Sequence, residues 1–95
     1  MRMQEIQQLL AHQVRVMQKL EERFSRLLAT GQLTQWSAEE VREAIQISAQ
    51  HKMLAMQAID DARLDQAVNN IETVLYIMSG FVEGAESGID SLLLN

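Results

Sequence analysis

Apolar side chains in this chain recur at helical spacing almost from end to end and never alternate over a strand-length run. From about Met3 to Thr30, the residues Met3, Ile6, Leu10, Met17, Leu20, Phe24 and Leu27 fall three or four positions apart and line one stripe. Only Gln13 interrupts it. Leu9, Val14, Val16 and Leu28 widen the stripe beyond the narrow seam of a two-stranded coiled coil, so two neighbours are expected for this helix. Gly31 follows the last periodic residue and can take the left-handed conformation that ends helices.

Residues 31–37 read as a connection, and the next helix starts with a capping box, Ser37-Ala38-Glu39-Glu40. The Ser37 hydroxyl can accept from the amide three residues on, and the Glu40 side chain can reach back to the Ser37 amide. Trp36 precedes the cap and Val41 stands at the staple position, where the indole can pack. Glu39, Glu40 and Glu43 sit near the positive end of the helix dipole. A second helix is therefore expected over about 38–62. It carries two stripes side by side: Val41, Ile45, Ser48, Lys52, Ala55, Ile59 and Ala62, and beside them Ile47, His51, Leu54 and Ala58.

A third helix is expected over about 64–92. Leu64, Val68, Ile71, Leu75, Met78, Val82, Ala85, Ile89 and Leu92 alternate spacings of four and three without a break. This stripe is two residues out of phase with the Val41 stripe, so the apolar face changes direction near Asp60 to Asp65. Either a short break separates two helices there, or one long helix turns from one neighbour to another. No Gly or Pro lies between Gln32 and Ser79 to force a break. Asp61 or Asp65 is suited to cap a new helix, which favours the break.

Composition agrees with an all-α class. There is no proline or cysteine, four glycines stand among 95 residues, and unbranched helix formers abound. The absence of cysteine excludes a disulfide scaffold and a thiolate metal site. One small domain is expected, an antiparallel helical hairpin extended to a two- or three-helix bundle. In it the first helix packs antiparallel on the second. A core of this size is modest, and pairing between chains is a common way to enlarge it. The net charge of −5 argues against a nucleic-acid partner. Residues 1–30 carry +2 and residues 31–95 carry −7, which favours the two halves lying side by side, in one molecule or between two. Behind the opening Met1-Arg2-Met3-Gln4-Glu5 there is no long apolar stretch of the kind a signal peptide has, so cytoplasmic synthesis is expected, with signal-independent export open. The most apolar window, Val74 to Val82, falls short of the roughly 20 residues a membrane span requires.

No constellation for chemistry emerges. His12 and His51 have no Glu or His three or four residues away, so the helical zinc and di-iron motifs are missing. Asp60, Asp61 and Asp65 lack the glycine and the alternating ligands of a calcium loop. No nucleophile elbow or phosphate-binding loop is present. No catalytic residue, cofactor or metal is expected. Six methionines can either fill a core or line a repackable binding surface; Met17 and Met78 read as core, Met53 and Met56 as weaker candidates for a contact surface.

Gly80, Gly84 and Gly88 recur every fourth residue along one side of the third helix. They form either a small-residue strip that admits another helix to backbone contact or a weakened tail. Leu92, Leu93 and Leu94 make a terminal apolar cluster that calls for a docking surface. Leu75, Met78, Val82, Ile89, Leu92 and Leu93 are accordingly the expected interface. Truncation after Ser79 is then expected to abolish association and to leave the surroundings of Trp36 intact.

The run from Val74 to Asn95, ending Gly88-Ile89-Asp90-Ser91-Leu92-Leu93-Leu94, resembles the C-terminal helix of type III secretion inner-rod and needle subunits. That resemblance implies a helical hairpin that polymerises through its last helix. The long, well-capped first half departs from those subunits and is closer to the small hairpin chaperones of the same systems, which shield an export substrate. The expectation is a non-enzymatic protein–protein interaction module, a helical adaptor, chaperone or assembly subunit acting through apolar helix faces. The alternative is a small acidic regulator that covers a basic site on a partner protein.

Overall fold

A computed structural model of the chain describes the backbone of residues 2–94 and the side chains of residues 2–87. It contains three helices: α1 (Met3–Ala29), α2 (Ala38–Asp60) and α3 (Leu64–Leu94). The fold is all-α.

The ends of α1 and α2 are built alike. At the end of α1, Gly31 has φ +69°, its amide donates to the Leu28 carbonyl, and the Gln32 amide reaches the Leu27 carbonyl at 2.8 Å. At the end of α2, Ala62 has φ +59°, its amide donates to Ile59, and the Arg63 amide reaches the Ala58 carbonyl at 2.7 Å. Both are Schellman closures. The chain thus breaks at 61–63 although no glycine is there, and an alanine holds the left-handed position. Neither aspartate is seen capping α3: Asp61 pairs with Arg63 at 2.9 Å. At the start of α2 half of the capping box forms, the Glu40 amide donating to the Ser37 hydroxyl at 3.0 Å.

Pairings along the helices give their directions. Gln13 meets Glu72 and Arg23 meets Glu86, so α1 and α3 run parallel. His51 meets Asn70, and Trp36, just before α2, meets Phe81, so α2 runs antiparallel to α3. The order is up–down–up with α3 in the middle. Both α1 and α2 pack on α3, while no Cα of α1 comes within 8 Å of one in α2. The first two helices are antiparallel as expected, but they rest on the third helix and not on each other. The Lys52–Glu21 ion pair, at 3.0 Å, spans the gap.

The central position of α3 explains its continuous apolar stripe. Ala67, Ile71, Val74, Met78, Val82 and Ala85 are buried between two neighbours. Complete burial of a side chain such as Ile71 or Val82 contributes about 1.5–3 kcal/mol. From α1 come Leu10, Met17, Phe24 and Leu27; from α2 come Val41, Ala55 and Ala58. The buried face of α2 runs between its two sequence stripes, through Val41, Ala44, Ser48, Ala55 and Ala58. Its small side chains meet α3, and several of its larger ones stay outside.

Candidate functional site

Ile45, Ile47, Met53, Leu54, Met56 and Ile59 of α2 are all at least one-third exposed, and Met53 and Met56 are about 60% exposed. α2 is therefore apolar on surfaces that its own chain does not cover. The reason is geometric. With α3 on one side only, a helix buries about a third of its circumference, and here the small residues occupy that third.

Beside this exposed surface lies the open seam between α1 and α2. At one end, Leu28, Leu33, Trp36, Val41 and Ile45 line a hollow of about 450 Å³. Farther along, Phe24, Leu28, Ile45 and Ser48 form walls above a floor at Met78. At the other end, Met3, Leu10, Val14, Ile59 and Leu64 line a third apolar hollow. The Lys52–Glu21 pair borders the middle hollow. Ser48 Oγ is buried in the middle stretch without a hydrogen-bond partner among the described residues. The seam is shallow and greasy, suited to contact with another apolar side-chain ridge and not to holding a small polar substrate.

The residues expected to form an interface are placed differently. Met78 is 5% exposed and Val82 is fully buried, both within the chain's own core. Leu75 is half-buried against the same core. Met78 and Val82 are thus unavailable as a contact surface, because α1 and α2 already sandwich them. The side chains of Ile89, Leu92 and Leu93 lie outside the described residues.

The glycine positions also separate. A Cβ on Gly84 would stand 2.8 Å from the indole of Trp36, so a close approach does occur there, made by the α1–α2 connection of the same chain. Gly80 faces open space, with nothing within 4 Å of that point, and Gly88 lies outside the residues whose side chains are described. The indole of Trp36 stacks at a tilt on Phe81 with centroids 4.7 Å apart, and Phe81 meets Phe24 edge-on at 5.8 Å. This aromatic cluster joins α1 and the α1–α2 connection to α3. It also overturns the expected independence of Trp36 from the segment beyond Ser79.

Three ion pairs, Arg23–Glu86, Lys52–Glu21 and Arg63–Asp61, lie at the surface among the described residues. Arg23 Nη2 donates to both carboxylate oxygens of Glu86 at 2.5 and 2.6 Å. His51 Nδ1 lies 2.9 Å from Asn70 Oδ1, and His12 is exposed. No group of three or more His, Asp or Glu residues converges on a metal-sized site among the described residues. No helix among them is long and apolar enough to cross a membrane. No family model, no curated protein and no solved structure matches this chain.

Proposed function

We propose that the chain is a non-enzymatic helical interaction module whose working surface is the apolar outer side of α2 with the adjoining seam. The observation that carries this reading is uncovered surface. The chain exposes 6589 Å². A compact protein of 10.8 kDa exposes about 5,500 Å² by size scaling. Its radius of gyration is 15.2 Å, against about 12.4 Å for a compact domain of this length. The excess of roughly 1,000 Å² is comparable to the ~800 Å² that one partner contributes to a standard interface. A monomer rarely leaves so many large apolar side chains on one helix in water.

An acidic decoy for a basic site has less support. Glu21, Asp61 and Glu86 are already paired with cations of the same chain, and Glu72 accepts from Gln13. A place in type III secretion is one form this kind of module takes: the rod-subunit reading rests on the sequence pattern of residues 74–95, and the hairpin-chaperone reading on the long, well-capped first half. The test is a double substitution, Met53→Glu with Met56→Glu. Both residues are exposed, so helicity and the unfolding midpoint stay as in the native chain. Association, read by sedimentation velocity or by retention of a partner through purification, is lost. Undiminished association by the double variant contradicts the reading.

A further inference from the structure

The exposed stripe of α2 is close to palindromic. Arg42, Ile45, Ala49, Met53, Met56 and Asp60 follow one another at spacings of three or four, so they share one side of the helix. All six are exposed. Reversing the direction of the helix brings the stripe nearly onto itself: Arg42 falls opposite Asp60, Ala49 opposite Met53, and Ile45 within one residue of Met56. Self-complementarity of this kind is what a two-fold interface demands, since each residue meets its counterpart twice.

The charges fit the same arrangement. A cation stands at one end of the stripe and an anion at the other, with apolar residues between. Neither Arg42 nor Asp60 forms an ion pair among the described residues. Lys52, beside the stripe, has its charge met by Glu21 of its own chain. An antiparallel pair brings two Arg42–Asp60 contacts together at its ends, whereas a parallel pair sets like charges side by side. Ala49, near the middle, permits close approach of the two backbones.

We infer that the outer side of α2 pairs antiparallel with the α2 of a second copy of this chain, Arg42 of each copy facing Asp60 of the other. This rests on the reading of α2 as the working surface and adds the occupant and the register. The roughly 1,000 Å² by which the whole chain exceeds a compact protein of its mass is of the order of the ~800 Å² that one partner contributes to a standard interface.

The test is a charge-swap cycle read by sedimentation equilibrium. Arg42→Asp and Asp60→Arg each place like charges at both ends of the pair, and each raises the dissociation constant at least tenfold. Arg42→Asp combined with Asp60→Arg restores opposite charges and returns the constant to within about threefold of the native value. Both single substitutions suit the helix dipole, an acid near the start of α2 and a base at its end, so loss of folding does not account for weakened pairing; circular dichroism confirms this for each. Native association unaffected by either swap overturns the α2 pairing while leaving an interaction role intact. Weakening that the double swap fails to repair overturns the antiparallel register. A native chain that is monomeric at several hundred micromolar, or that binds a different protein across α2, overturns the second copy as occupant.

Discussion

The indole of Trp36 occupies the space beside Gly84 so closely that a methyl group there would lie 2.8 Å from one ring atom and 3.0 Å from another. The ring is rigid and also packs against Phe81, one turn away from Gly84 on the same helix. Gly84→Ala therefore displaces the indole and lowers stability by about 1–3 kcal/mol, the usual cost of overpacking. Gly80→Ala does the reverse. Its Cβ meets nothing within 4 Å, and replacing a mid-helix glycine by alanine adds about 1 kcal/mol. Urea unfolding followed by tryptophan emission distinguishes the two, and equal effects at both positions contradict this placement of the ring.

Truncation after Ser79 removes Phe81, Gly84, Val82 and Ala85 together. Trp36 then loses both its stacking partner and the surface it lies against. Its emission shifts to longer wavelength and the cooperative thermal transition disappears. An unchanged Trp36 spectrum in the truncated chain is the contrary result.

The left-handed residue that ends α2 is an alanine, at φ +59°. A residue with a Cβ is strained there by about 1–2 kcal/mol, part of which glycine gives back through greater unfolded-state entropy. Ala62→Gly raises stability by about 0.5–1 kcal/mol. At the equivalent position of α1, Gly31→Ala lowers it by a similar amount, because no neighbour intervenes and the backbone alone decides. Thermal melts check the pair: opposite signs are expected, each shift several degrees for a domain of this size.

Gln13 interrupts the apolar stripe of α1, yet it is buried. Its Nε2 donates to Glu72 at 3.2 Å, and its Oε1 has no partner among the described residues. Gln13→Leu removes that unpartnered oxygen and leaves only a solvent-exposed carboxylate behind, so stability rises by about 1 kcal/mol. A loss of stability on this change shows that the amide is better satisfied than its geometry indicates.

Three helices and the Ser37 cap were legible because each depends on spacing within a few residues. The break at 61–63 was legible as a change of face between the Val41 and Leu64 stripes, though its device, a left-handed Ala62, carries no sequence signal. The working surface was harder to place. The most apolar helix attracts attention as a contact surface, but α3 is apolar on account of its two neighbours in the same chain, and Met78 and Val82 serve that core. On α2 the misleading feature is size. Ile45 and Ile59 fall on the first apolar stripe and Ala44 on neither, whereas packing onto α3 selects Ala44, Ala55 and Ala58 and leaves large residues outside. Whether a stripe is buried depends on which element lies against it, and periodicity alone does not record that.

Light scattering coupled to gel filtration, with the native chain loaded at a few hundred micromolar, weighs the molecule directly. Coverage of α2 by a second copy predicts a mass of twice 10.8 kDa, falling toward the single-chain value on dilution. A mass of 10.8 kDa at every concentration, with nothing else bound, contradicts it.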